Sequence, residues 1–219
     1  MIKCTKNYYI CSMNVLLRLG NIPIDSGVLA SFFPEIVGKN QKASALERAG
    51  QIIRIKRGLY VVNPELSGKA VSTELVANRL YGPSYVSLQT ALRYYGLIPE
   101  TVYRVQSITV KHSRSFETPF GYFDYVACTR DYFSIGITHI VKDGYSFVIA
   151  TPEKALCDLI AYTPNLNLRY RKQVLSYLEE DLRFDMEAFP KLNVDIIRQC
   201  AQMGKKKNTL NLLIKLLQG

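Results

Sequence analysis

The sequence has no long apolar run. No segment approaches the roughly 18 consecutive apolar residues that a membrane-spanning helix requires. The N-terminal stretch, MIKCTKNYYICSMNVLLRLG, also lacks the apolar segment and small-residue cleavage site of a secretory signal. We therefore expect a cytoplasmic protein with no membrane partner.

Potential metal ligands are also scarce. The two histidines, His112 and His139, lie in strand-like segments, and neither has a partner at ligand spacing. The cysteines are odd in number and far apart, so that no pair has the spacing of a zinc site. They are Cys4, Cys11, Cys128, Cys157 and Cys200. We expect free thiols in a reducing compartment, no metal and no cofactor.

Patterns that carry catalysis are missing as well. Cys157 lies on the apolar face of a predicted helix, without a local motif for a cysteine nucleophile. A metal-dependent nuclease needs an acid-x-Lys element on a strand, whereas Glu153 and Lys154 are adjacent and open a helix. Gly136 and Gly144 are isolated, so no glycine-rich loop would cradle a phosphate. We predict that the protein is not an enzyme.

What the chain has in excess is positive charge. Its 219 residues include 28 Lys and Arg against 18 Asp and Glu, which gives a net charge of +10. Residues 1–65 hold nine basic and four acidic residues, so half of the net charge lies in the shorter, N-terminal part. This asymmetry favours a polyanionic partner for that part, with a membrane surface or simple solubility as alternatives.

The N-terminal part predicts two short helices before its most basic segment. Apolar residues recur at helical spacing between Tyr8 and Leu19, and the run ends at Gly20. Asp25 and Ser26 can then cap a second helix, which would end at Pro34. They would be the first two helices of a module of some sixty residues.

The segment from Lys39 to Tyr60, KNQKASALERAGQIIRIKRGLY, predicts a basic helix, a glycine and a two-stranded hairpin. Ala43, Leu46 and Ala49 form the core face of the helix, and the hairpin alternates apolar with basic residues. Three helices followed by a basic hairpin are the sequence form of a winged helix. Such a module can place a helix in the major groove and a β-ribbon along the phosphates.

The candidate DNA contacts lie off the core face of this third helix and on the hairpin. Asn and Gln suit adenine edges, Arg suits guanine, and Lys suits phosphate. The alternative is a solvated polar face. The candidates are Lys39, Asn40, Gln41, Lys42, Ser44, Arg48, Arg54, Lys56 and Arg57.

The rest of the chain predicts a larger mixed domain. A polar stretch from Asn63 to Gly68 is typical of a linker, so we place a boundary after residue 66 and expect a second domain over residues 67–219. Helices are expected at Val71–Leu80, Ser87–Tyr95, from Thr151-Pro152 onward, and at Asn167–Glu180, Val194–Met203 and Thr209–Gln218. Strands are expected at Ser107–Val110, Phe120–Cys128, Ile135–Val141 and Tyr145–Ala150. The predicted fold class is α+β, a winged helix-turn-helix followed by a mixed α/β domain.

Two clusters in the second part each have two interpretations. The tyrosines could form a stacking platform for single strands, but packing is favoured. These residues are Tyr81, Tyr85, Tyr94, Tyr95 and Tyr103. The loop Lys205–Lys207 could contact phosphate or an acidic partner, but a solvated loop is favoured.

Three segments in this order resemble the AbiEi antitoxin family of abortive-infection, type IV toxin–antitoxin systems. They are IIRIKRGLYVV at 52–62, YVSLQTALRYYGLIP at 85–99 and VIATPEKALCDLIA at 148–161. The resemblance covers about residues 10 to 165. It implies a winged helix that represses its own operon, joined to a domain that counteracts a cognate nucleotidyltransferase toxin, with direct or indirect contact left open. The alternatives are a winged-helix regulator with a ligand-sensing or dimerising second domain, and a degenerate nuclease-like protein.

Some family positions can be carried over residue by residue. The basic wing is matched by Arg54, Lys56, Arg57 and Gly58, and the helix-turn element by Ser87, Ala91, Leu92, Gly96 and Leu97. The threonine-proline helix start is matched by Thr151, Pro152, Ala155 and Asp158. The helix KNQKASALERA matches only in character, and the residues after Asn165 show no family motif.

Overall fold

The fold is α+β, with one sheet in each of two compact units. The computed structural model describes residues 16–33, 39–100, 103–142 and 144–219. The first unit contains the described residues up to Leu80 together with Thr118–Phe120, and the second contains those of Tyr81–Glu117 and Gly121–Gly219. Each helix in the described ranges is too short or too polar to span a lipid bilayer.

The first unit combines short helices with a three-stranded antiparallel sheet, in the order β1, β3, β2. Helix α1 comprises residues 16–19 in the described part of the chain and ends at Gly20, whose φ is +57°. The next elements are β1 (Ile24–Asp25), α2 (Ser26–Ser31), α3 (Lys39–Arg48), β2 (Ile52–Lys56) and β3 (Leu59–Val62). Two helices complete the unit, α4 (Pro64–Ser67) and α5 (Thr73–Leu80).

Local chemistry explains where these elements begin and turn. The Asp25 carboxylate accepts a hydrogen bond from the Val28 amide at 2.8 Å, which caps α2 as predicted. Gly58 has a φ of +82°, a backbone conformation that glycine adopts without strain, and it closes the turn between β2 and β3. The predicted first helix lies largely outside the described residues, as does Pro34.

Strand β3 lies in the middle of this sheet, and its four residues are all buried. The expected division of the hairpin into one apolar and one basic face therefore holds only for β2, where Ile55 is buried and Arg54 and Lys56 are exposed. Ala49, predicted on the core face of α3, is exposed. The core of the unit is formed by Leu16, Ile24, Leu29, Phe33, Ala43, Leu46, Ile52, Tyr60 and Val62.

The boundary predicted after residue 66 lies inside the first unit. The predicted linker forms α4, which Asn63 caps by accepting a hydrogen bond from the Glu65 amide at 3.0 Å. The Asn21 side chain donates to the Ala70 carbonyl at 2.7 Å, and Lys56 Nζ donates to the Leu80 carbonyl. These long-range contacts hold the segment after α4 to the first unit, and a polar composition could not reveal them.

The second unit is built on a six-stranded mixed sheet with the order β6, β7, β5, β4, β9, β8. Pairs β4–β9 and β5–β7 are parallel, whereas β4–β5 and β8–β9 are antiparallel. The strands are β4 (Ser84–Val86), β5 (Arg104–Thr109), β6 (Arg114–Thr118), β7 (Gly121–Ala127), β8 (Ile137–Lys142) and β9 (Tyr145–Ala150). The expected strands are present, and β4 and β6 are additional.

The helices of the second unit include each one that the sequence predicts after residue 80. They are α6 (Leu88–Tyr94), α7 (Arg130–Phe133), α8 (Pro152–Tyr162), α9 (Arg171–Ser176), α10 (Val194–Met203) and α11 (Lys207–Leu217). Helix α9 continues into a π-helical turn over Tyr177–Asp181, and a short 3₁₀ turn spans Phe189–Lys191. Thr151 caps α8, and its hydroxyl accepts from the Lys154 amide at 3.5 Å.

Candidate functional site

Helix α3 presents polar side chains on the face opposite its core residues. Ala43 and Leu46 are buried, whereas Gln41 and Arg48 are exposed and Ser44 is half-buried. Spacings of three and four residues place these polar side chains on one face of the helix. Lys39 and Asn40 also belong to α3, but their side chains lie outside the described residues.

The hairpin places basic residues next to α3 in the chain and in space. Arg54 and Lys56 are exposed on β2, and Arg57 is exposed in the turn that leads to β3. Arg57 makes no polar contact within the described part of the chain. Its side chain is exposed on the turn of the hairpin.

Arg54 is held by an ion pair within the first unit. Its Nη2 lies 2.6 Å from Glu47 Oε2, and its Cζ lies 5.9 Å from the centroid of the Tyr60 ring. The Glu47 carboxylate raises the pKa of Arg54 by hydrogen bonding and by its charge. The pair links α3 to β2 and leaves little net charge at this point.

Two further predicted contacts are also engaged within the unit. Lys42 Nζ lies 4.6 Å from the centroid of the Phe33 ring, and Lys56 Nζ donates to the Leu80 carbonyl. Arg48 remains exposed, although its Nε donates to the Ser44 carbonyl one turn earlier at 3.3 Å. The structure thus brings the described candidates together on α3 and the hairpin but does not leave them equally available.

A second polar centre lies in the interior of the second unit. Lys154 and Asp158, one turn apart on α8, have fully buried side chains, with 3.2 Å between Nζ and Oδ1. Asp158 Oδ2 also accepts hydrogen bonds from the Ser87 hydroxyl at 2.6 Å and from the Tyr85 hydroxyl at 3.1 Å. Burial raises the pKa of Asp158, and the Lys154 ammonium and the Ser87 hydroxyl act against that rise.

The Lys154 ammonium has a second set of neighbours on α7. Nζ donates to the Tyr132 carbonyl at 3.0 Å and lies 3.1 Å from the centroid of the Tyr132 ring. The cation therefore has a carboxylate, a carbonyl and an aromatic face around it in place of water. The buried centre therefore joins α7 and α8 to the residues at the end of β4.

Neither Lys154 nor Asp158 was expected from the sequence to lie in a buried polar centre. A visible signal was present, since Lys154 directly precedes the otherwise apolar run ALCDLIA and Asp158 interrupts it four residues later. The partners on β4 and α7 could not be found in this way because they lie far away in the sequence.

Other sequence predictions have mixed outcomes. The tyrosines pack as favoured: Tyr85 is buried, Tyr81 contacts Phe116, and the Tyr94 and Tyr95 rings lie 5.5 Å apart. Tyr103 differs, since 86% of its surface is exposed.

In the predicted loop Lys205–Lys207, Lys207 begins α11, and the two lysines before it contact residues at the end of α8. Lys206 Nζ donates to the Thr163 carbonyl at 2.7 Å, and Lys205 Nζ lies 5.1 Å from the centroid of the Tyr162 ring. Both lysines thus reach the carboxyl end of α8, where positive charge is favourable. The expectation of a simply solvated loop is wrong for this pair.

The described cysteines and histidines show no ligand set. Cys128, Cys157 and Cys200 are free thiols, and Cys4 and Cys11 lie outside the described residues. No group of three or more His, Cys, Asp or Glu that could hold a metal occurs among the described residues.

The two histidines are both exposed. His139 lies in β8 as expected. His112 lies in the loop between β5 and β6, not in a strand.

Comparison with known proteins supports the fold. No protein-family model matches the chain, and no curated protein sequence matches it. Among solved structures, the RV2827C protein from Mycobacterium tuberculosis is similar, with a TM-score of 0.59 over 94% of this chain and 74% of that chain. Sequence identity is 14%, so the similarity is one of fold.

Proposed function

We propose that the first unit is a winged helix that binds duplex DNA. The observation that carries this proposal is the exposed polar face of α3, with Gln41 and Arg48, beside a hairpin whose turn presents Arg57. A helix of this kind fits the major groove, where Gln and Arg side chains read base edges. A basic hairpin turn is suited to the neighbouring phosphates.

We further propose that the chain represses its own operon by binding its operator and acts as the antitoxin of a nucleotidyltransferase toxin in the cytoplasm. This part rests on the resemblance to the AbiEi family. In the structure, two of the three segments that resemble this family contact each other. Tyr85 and Ser87 come from the segment 85–99, and Lys154 and Asp158 come from the segment 148–161. Their side chains meet in the buried polar centre.

A regulator with a ligand-sensing second unit is the alternative function, and one observation favours it. An open cavity of about 630 Å³ lies between the sheet and the end of α8. Arg104 and Asp124 line it, and they pair with each other at 2.8 Å. A small polar ligand that raised the melting temperature and changed DNA affinity would support this function over an antitoxin.

The test of DNA binding is a mobility-shift titration at several salt concentrations, with DNA from upstream of the gene and a mixed-sequence duplex. Arg57→Ala should weaken binding to both duplexes and reduce the salt slope by about one, because one phosphate contact no longer releases a counterion. Gln41→Ala should instead reduce the preference for the upstream DNA, by about 1–3 kcal/mol.

The matched control is Arg171→Ala, which removes an exposed arginine from the second unit. This variant should keep the wild-type affinity and salt slope. An unchanged slope for Arg57→Ala, or an equal loss for both arginine variants, would contradict the assignment of the hairpin to the phosphate backbone.

A further inference from the structure

We infer that Glu47 and Arg54 form an internal charge clamp that takes Arg54 out of the set of phosphate contacts. The clamp is the ion pair between α3 and β2, and it leaves Arg57 as the phosphate contact of the hairpin. This inference rests on the proposed DNA-binding function. It assigns different roles to Arg54 and Arg57, which the sequence places together in the basic wing.

The geometry of the clamp is specific. The distance of 2.6 Å between Arg54 Nη2 and Glu47 Oε2 is that of a direct charge-assisted hydrogen bond. The Arg54 guanidinium group also lies over the ring of Tyr60, which is buried on the central strand β3. Arg54 is therefore directed along the sheet toward α3 and has two partners within its own unit.

The charge of Glu47 explains how the clamp would affect DNA binding. It is the one carboxylate in the helix KNQKASALER, whose other charged residues are all basic. A carboxylate on a helix that approaches DNA would face phosphates of the same charge. Arg54 neutralises it, so the pair as a whole adds no net charge to the interface.

An exposed pair of this kind contributes little to folding stability, since 46% and 31% of the two side chains remain accessible. Its consequences should therefore appear in DNA binding and not in the melting temperature. The number of counterions released on binding counts the basic groups that reach phosphates. The salt slope therefore reports directly whether Arg54 is one of them.

The experiment measures the salt slope of the full-length protein on a mixed-sequence duplex for four variants. Glu47→Gln should bind more tightly than wild type, with a slope steeper by about one, because Arg54 becomes available to phosphate. Arg54→Ala should bind more weakly, because Glu47 is left uncompensated, but with the wild-type slope. The double variant should have the wild-type slope and an affinity above that of Arg54→Ala. Arg57→Ala, with its shallower slope, is the reference for a true phosphate contact.

Glu65→Gln is the matched control, since it removes one exposed carboxylate from α4 of the same unit, and Glu65 forms no ion pair with an arginine among the described residues. Its slope should equal that of wild type. The clamp would be overturned, with DNA binding intact, by two results together. The salt slope of Arg54→Ala would fall as that of Arg57→Ala does, and the salt slope of Glu47→Gln would equal that of wild type. Absence of binding by wild type would instead overturn the proposed function and the clamp with it.

Discussion

Lys154 and Asp158 bury their charges one turn apart on α8, where neither side chain reaches water. Taking both ions out of water has a large unfavourable free energy, which their attraction offsets only with good geometry and further hydrogen bonds. Tyr85 and Ser87 provide such bonds to the carboxylate, and the Tyr132 carbonyl provides one to the ammonium. The pair is therefore a point at which single substitutions should have large effects.

Replacement of Lys154 by Met should destabilise the second unit by about 3–5 kcal/mol, because it leaves the Asp158 carboxylate buried and unpaired. The double variant with Asp158→Asn should recover part of this loss, so that its effect is smaller than the sum of the single effects. Urea denaturation of the full-length chain gives the free energy of unfolding for each variant.

The exposed pair of Arg104 and Asp124 is the matched control. Arg104 Nη1 lies 2.8 and 2.9 Å from the two carboxylate oxygens of Asp124, but half of the Arg104 side chain is accessible. Asp124→Asn should therefore cost about 1 kcal/mol or less. Equal costs for the two pairs, or strictly additive effects for Lys154 and Asp158, would contradict the importance of burial.

At the scale of elements, the turn between α7 and β8 packs closely against α8 and α10. Gly136 has a φ of +55°, and its carbonyl accepts a hydrogen bond from the Thr151 amide at the start of α8. A Cβ atom at this position would lie 2.8 Å from Ile196 Cγ2 and 2.9 Å from Lys154 Cβ. Glycine is thus required here both by the backbone conformation and by the space.

Gly136→Ala should therefore destabilise the second unit more than Gly96→Ala. Gly96 also has a positive φ, +72°, but a Cβ atom there would meet no other atom within 4 Å among the described residues. The Gly96 variant should cost about 1–2 kcal/mol from backbone strain alone. Overpacking should add about 1–3 kcal/mol for the Gly136 variant. Similar unfolding free energies for the two variants would show that the turn can move away from α8 and α10.

Elements with a strong local signal were predictable from the sequence. Helix α8 begins where Thr151 and Pro152 indicate, because the cap and the fixed φ of proline act within one turn. Strand β4 has only three residues, and β6, with the sequence RSFET, lies at the sheet edge and lacks clear alternation. Strand β4 is stabilised by pairing with β5 and β9, which lie far away in the sequence, and β6 by pairing at the sheet edge with β7, so that no local pattern revealed either strand.

The candidate DNA contacts were also predictable only where a local sequence pattern determines the structure. Their positions on α3 and the hairpin were predictable, because periodicity and the turn glycine decide them. Their partners were not, since Lys42 contacts Phe33, Arg54 contacts Glu47 and Lys56 contacts the Leu80 carbonyl. Which basic side chains remain available is therefore decided by the tertiary structure.

At the scale of the whole molecule, the proposed activities fall on different units. The candidate DNA contacts lie in the first unit, and the two segments that meet around Asp158, for which only a resemblance to the AbiEi family is proposed, lie in the second. A substitution on α3 or on the hairpin turn should therefore remove one activity and preserve the other. Full-length variants can test this without assuming that either unit folds alone.

The last prediction concerns a full-length chain with Gln41→Ala and Arg57→Ala, expressed from an unrelated promoter. It should no longer repress a reporter placed behind its own upstream DNA, because both base and phosphate contacts are lost. It should still rescue the growth of cells that express the neighbouring nucleotidyltransferase from another unrelated promoter, where repression cannot contribute. The Arg171→Ala chain should keep both activities. If rescue were lost together with DNA binding at equal protein levels, both activities would depend on the first unit. That result would contradict the assignment of the two activities to different units.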